Sequence, residues 1–205
     1  MDEFTRQLIQ REASSLSPSL FGCLDEAVAS AAGLPYPRDR FPHAHAMHVR
    51  AVFRGALEHE ELPEGWTVTG NTRSTGQTFL TNVQYGTTLR LLSESRVTMN
   101  GVPHAGTSRA RRAQWAQFAF FGAEEVARRH RDLLLLMDTR AEEPSLRIVH
   151  PIEEGKYKGK VACDFLVSMI REFDDVGNAV FDTEEEHLDF FANVEGEDEA
   201  GLGDV

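Results

Sequence analysis

Apolar positions recur at helical spacing through the first sixty residues and at shorter, strand-like spacing after them. Phe4, Leu8 and Ile9 mark one amphipathic stretch. Ser17-Pro18 opens a second, with Leu20, Leu24, Ala27, Val28 and Ala31 on one face. Gly33-Leu34-Pro35-Tyr36-Pro37 ends it, because glycine and proline stop helices. A third helix is predicted from about Pro42 to Glu60, halted before Pro63-Glu64-Gly65.

From Trp66 to Ser93 the chain is rich in Thr, Val, Phe, Tyr and Leu, with Gly70, Gly76 and Gly86 as punctuation. Three short strands are predicted there, near 66–70, 77–84 and 87–93. A long helix is predicted from about Thr107 to Arg131. Leu133-Leu134-Leu135-Leu136-Met137 then reads as a strand buried on both faces. Leu146–Val149 makes another strand. Val161 to Ile170 makes a last one, with Val161, Cys163, Phe165, Val167 and Met169 on one side. The fold class that follows is α+β: N-terminal helices and an antiparallel or mixed sheet packed around one long central helix at about 107–131. The domain organisation that follows is one globular domain over 1–181 and an acidic, partly disordered segment over 182–205.

Charge changes this picture at the C-terminal side. Residues 172–205 carry 13 acidic side chains and no basic one, against 21 basic and 20 acidic in residues 1–171. The formal net charge of −12 is therefore that of a near-neutral body with an anionic extension. Such a segment competes with anions for basic surface or engages a basic protein partner. Of the basic residues 18 are Arg and only 3 are Lys, and all three lysines fall in Lys156-Tyr157-Lys158-Gly159-Lys160. No apolar run reaches the ~18 residues of a membrane span, and Met1-Asp2-Glu3-Phe4 does not open a secretory signal. Two cysteines make no disulfide framework, so a reducing, cytoplasmic setting is expected.

The most chemically loaded stretch is Gly106-Thr107-Ser108-Arg109-Ala110-Arg111-Arg112. Thr107 and Ser108 suit a helix start, where a hydroxyl caps free N–H groups. Arg109, Arg111 and Arg112 then add positive charge where the helix dipole is already positive. Guanidinium forks and exposed N–H groups together would hold a phosphate or carboxylate. Thr107, Ser108, Arg109, Arg111 and Arg112 are thus the predicted anion-binding set.

Two other patterns carry chemistry. His43, His45 and His48 bring at most two ligands to one side of a helix, and zinc catalysis wants three, so no metal site is predicted. His45 shares the apolar face of Val49, Val52, Phe53 and Ala56 and reads as a packed histidine. Asp138 followed by Glu154-Gly155-Lys156 resembles the restriction-endonuclease-like nuclease pattern. That resemblance implies carboxylates holding Mg²⁺ at a scissile phosphate, with the lysine steadying the attacking water. The segment departs from the pattern where Glu154 and Lys156 sit between Pro151 and Gly159, in a turn sequence instead of a strand. Asp164, mid-strand, needs a partner if its face is buried, and an arginine of the central helix is the natural one.

The functional expectation is a non-enzymatic binding or regulatory protein. It would engage an anionic partner (nucleic acid, phosphate ligand or acidic protein segment) through the Arg-rich helix start, modulated by the acidic extension. A Mg²⁺-dependent nuclease or phosphodiesterase using Asp138, Glu154 and Lys156 is the alternative. Which cofactor, if any, the protein uses is not specified by the sequence.

Overall fold

In a computed structural model, residues 3–73, 77–107, 112, 115, 131–141 and 143–171 are described. Two helices, α1 (Glu3–Ala32) and α2 (Pro42–His59), precede six strands. These are β1 (Trp66–Gly70), β2 (Thr78–Asn82), β3 (Thr87–Ser93), β4 (Arg131–Asp138), β5 (Ser145–Pro151) and β6 (Cys163–Ser168). They form one sheet in the order β1-β2-β3-β4-β5-β6, antiparallel throughout except that β3 and β4 run parallel. The class is α+β and the sheet is mixed. Within the expected long helix over 107–131, Arg112 and Trp115 are helical, but Thr107 lies in a turn and Arg131 opens β4; residues 108–111, 113–114 and 116–130 lie outside the described residues. So does the acidic segment. Contacts divide the chain between Phe173 and Asp174, and every described residue precedes that division.

The parallel pair organises the layers. A parallel connection cannot close with a tight turn, so residues 94–130 must cross from the end of β3 back to the start of β4. Of that crossover, Val102, Ala105 and Trp115 pack against Leu92, Leu134, Leu136 and Val149 on one face of the sheet. The opposite face carries Leu80, Leu89, Leu91, Leu133, Leu135, Leu146 and Ile148 beneath α1 and α2. Leu133 to Leu136 alternate between these two cores and are each at most 1% exposed. A central strand covered on both faces accounts for the unbroken leucine run.

The two predicted N-terminal helices are one. Ile9, Ala13, Leu16, Leu20, Leu24, Ala27 and Ala31 form a single buried stripe at three- and four-residue spacing, continuous through Pro18. Proline removes one intrahelical hydrogen bond, but burial of the stripe on both sides of it outweighs that local loss. Ser17, just before the proline, donates its hydroxyl to the carbonyl of Ile170 and so ties α1 to the segment after β6.

The last strand also departs from its predicted alternation. His150 pairs with Phe165 but Pro151 pairs with Cys163, which leaves Asp164 as an extra, bulged residue. A bulge shifts the faces by one position. Val161 and Cys163 therefore pack with the crossover core, while Phe165, Val167 and Met169 pack beneath the helices.

Arg54 joins α2 to the first hairpin. It is 6% exposed, and its guanidinium donates to the carbonyls of Asn71 (3.1 Å) and Gln77 (3.4 Å), to Thr78 Oγ1 (3.3 Å) and to Glu58 (2.8 Å). Arg54→Met should destabilise the fold by about 2–3 kcal/mol, because it strands buried acceptors. Glu58→Gln should cost under about 1 kcal/mol, because that i,i+4 pair is part-exposed. Urea denaturation midpoints of the two variants check the ranking.

Candidate anion-binding surface

The predicted anion-binding segment begins at a turn that only the crossover could position. Gly106 has φ +67°, and its N–H donates to the Nδ1 of His104 at 3.0 Å. Thr107 follows, exposed; Arg112 is exposed and helical. Trp115, 2% exposed, anchors this segment in the crossover core beside Val102 and Val161. Ser108, Arg109 and Arg111 lie outside the described residues.

What the sequence did not reveal is the neighbour of this turn. The loop between β5 and β6 carries all three lysines, and it is fastened alongside residues 99–105. Ala105 N–H donates to the carbonyl of Glu154 at 2.8 Å, and Met99 N–H to that of Gly159 at 3.0 Å. Asn100 makes a two-way clasp: its Nδ2 donates to the Val161 carbonyl at 2.8 Å, and its Oδ1 accepts from Val161 N–H at 3.2 Å. Val161 is fully buried under the loop. Gly155, at φ +65°, lies so close that an added Cβ would come within 2.5 Å of a Val161 methyl. The tip closes with Gly159 N–H donating to the Lys156 carbonyl, and Lys158 sits in the left-handed region at φ 60°.

This fastening holds the tip outward. Lys156, Lys158 and Lys160 are exposed, and Tyr157 between them is 66% exposed. The Tyr157 ring meets the His104 ring edge-on at 6.1 Å, and the Lys158 ammonium lies 5.8 Å from the Tyr157 ring centre. Lysines, an outward aromatic ring and the start of the arginine segment therefore share one surface. Glu153 and Glu154 are the nearby acids in sequence, and Glu153 is engaged with the N–H of Ala162.

The residues of the nuclease-like pattern occupy different settings. Asp138 ends β4 opposite Ser145, at one end of β5, whereas Glu154 and Lys156 follow Pro151 at the other. Arg140 grips both Asp138 oxygens, at 2.6 and 2.8 Å, and its hydrogen bonds hold this carboxyl below the usual carboxylate range. Arg140 also reaches Glu94 at 3.2 Å, and Arg147 donates to Glu94 at 2.7 Å. Among the described residues no three His, Cys, Asp or Glu side chains form a metal-holding group. Glu154 contributes its backbone carbonyl to the loop and Lys156 faces solvent.

His45 is 9% exposed, bonds the Tyr36 carbonyl at 2.8 Å and stacks edge-on to the Tyr36 ring. Asp164 bonds the Nδ1 of His150, and the central-helix arginines other than Arg112 lie outside the described residues. His150 is 1% exposed, and the bulge is what turns the Asp164 carboxylate toward its Nδ1. Arg6 of α1 donates to the Asp164 carbonyl at 2.8 Å. Burial opposes ionisation of Asp164, but hydrogen bonding, that of His150 foremost, together with nearby positive charge outweighs it and brings its carboxyl down to about 2. Cys23 and Cys163 offer no ready nucleophile, since burial pushes their thiols up to about 11 and about 12.

Comparison with protein-family models, characterised proteins and solved structures gives no match for this chain. No described helix is long and apolar enough to cross a membrane.

A carboxyl with a lowered folded-state value stabilises the fold above its unfolded value, ~3.9, and that stabilisation is lost as pH falls toward the folded value. The Asp164 contribution is therefore complete above about pH 4 and declines toward pH of about 2. Asp164→Asn should flatten that part of the stability profile, measured as urea midpoints between roughly pH 2 and 6.

Proposed function

We propose that this protein is a non-enzymatic binding or regulatory protein that engages an anionic partner, with a nucleic-acid strand as the favoured one. The observation that carries this reading is the bond from Ala105 to Glu154, with His104 against Tyr157, which sets the three lysines beside the start of the arginine segment. Lysines and arginines supply sequence-independent attraction to phosphates. An outward Tyr157 supplies a flat apolar face on which a base stacks, which an acidic protein segment would not need. Thr107, Ser108, Arg109, Arg111 and Arg112 extend the same surface in this reading. The 13 acidic side chains of residues 172–205 lower affinity for the same polyanion and tune the interaction electrostatically.

Fluorescence anisotropy with a labelled oligothymidylate strand tests the proposal. Replacing Lys156, Lys158 and Lys160 by Ala together should weaken binding at least tenfold at low salt and reduce the slope of log K against log salt by about 2. Tyr157→Ala should weaken binding while leaving that slope unchanged, since stacking releases no counterion. A triple variant that binds as the parent does would remove the basis of the reading.

Deleting residues 182–205 should raise affinity for the strand, most strongly at low salt. The same titration on the shortened chain measures it, and unchanged affinity would take the acidic segment out of the scheme.

A further inference from the structure

A second feature lies away from the lysine loop, at the carboxyl ends of the one parallel strand pair. There the last turn of α1, the Leu34–Arg38 connection, the first turns of α2 and the residues ending β3 and β4 enclose a cleft of about 820 Å³. That volume falls within the ~300–1,000 Å³ typical of small-molecule sites. In open sheets, ligands favour the carboxyl ends of parallel strands, where connections diverge and leave a crevice. Here the divergence is concrete: the connection from α1 to α2 runs on one face of the sheet, while the crossover after Ser93 leaves for the other.

The lining is divided by chemistry. Val28, Ala31, Val49 and Met137 supply an apolar floor. Arg38, Arg96 and Arg140 stand on the polar side with Glu94 and Asp138. The two carboxylates are already answered, because Arg140 clamps Asp138 and reaches Glu94, and Arg147 closes on Glu94 from behind. Two guanidiniums remain. Among the described residues Arg38 has one long bond, 3.4 Å to the Thr139 hydroxyl, and Arg96, exposed, forms no ion pair. The first turn of α2, whose Pro42 and His43 line the cleft, holds no acid and no side-chain cap, which adds to the positive potential.

We infer that this cleft binds a small amphipathic anion, its carboxylate, sulfonate or phosphate group held by Arg38 and Arg96 and its apolar body on the Val28–Met137 floor. The argument is one of charge complementarity within a bounded volume. A cation would meet unmatched guanidiniums, and a neutral apolar molecule would leave them without a partner. This site is separate in its residues from the lysine loop, so either can fail without the other.

Titration of the full-length native protein with 1-anilinonaphthalene-8-sulfonate, an amphipathic anion whose fluorescence rises on apolar contact, is the test. The expected result is one saturable site, displaced by decanoate and not by decyltrimethylammonium. Replacing Arg38 and Arg96 together by Ala should lower affinity roughly tenfold, the scale of a charge-assisted hydrogen bond. Ala46→Trp, which projects bulk into the cleft from α2, should abolish the site, and circular dichroism establishes that each variant keeps its fold. The lysine-loop triple variant should bind the probe as the parent does. Absence of saturable binding, equal displacement by the cation, or affinity indifferent to both cleft variants would each overturn the inference.

Discussion

Burial of β4 on both faces is the constraint from which the rest of this architecture follows. Leu133 to Leu136 alternate between two cores, and neither core can be left open to water without exposing half of that strand. At roughly 25 cal/mol per Å² of apolar surface, uncovering two leucines on either face would cost several kcal/mol, comparable to the whole stability of an ordinary domain. The helical pair covers one face. The other is closed by the crossover, through Val102, Ala105 and Trp115, and by Val161 of the β5–β6 loop. The segment that completes the second core is thus the same one that carries the arginine-led turn. Packing and candidate recognition are consequences of a single path of the chain.

The parallel pairing of β3 with β4 has two further effects. It sends the chain from one end of the sheet to the other, which brings residues 99–105 beside the lysine loop. It also sets two strand carboxyl ends side by side, where an antiparallel neighbour would have returned through a turn. The ion network of Asp138, Arg140, Glu94 and Arg147 forms at that end, and it consumes the acids that would otherwise repel an anion. Basic surface near the loop and basic surface at the cleft therefore arise for different reasons. One is a local concentration of lysine; the other is a surplus of arginine after carboxylates have been matched.

Much of the fold was legible from periodicity, because burial on a helix or strand imposes its own spacing. Pro42–His59, the strands at 66–70 and 87–93, and the doubly buried leucines all follow that rule. Pro18 is misleading, since Ser17-Pro18 has the local form of a helix start while the long apolar stripe continues through it. The alternation from Val161 to Met169 read as one face because a bulge leaves no mark in a hydrophobic pattern; only the register of His150 and Pro151 exposes it. The bond between Asp164 and His150 is hidden for a similar reason, because the sequence does not specify which strand pairs with which. The cleft and the meeting of the lysine loop with the Gly106 turn were invisible for a related cause. Both depend on contacts between segments far apart in the chain, such as Ala105 with Glu154 and Arg38 with Thr139, which composition and spacing do not encode.

The way the β5–β6 loop is secured has an evolutionary corollary. Its restraints run through main-chain atoms, the Asn100 amide, the buried Val161 and the edge contact of Tyr157 with His104, and among the described residues none of them uses the ammonium of Lys156. Position 156 can be exchanged with little penalty to folding, and position 158 among residues that accept its left-handed backbone, so selection could re-tune what the tip recognises, generation by generation, on an unaltered frame.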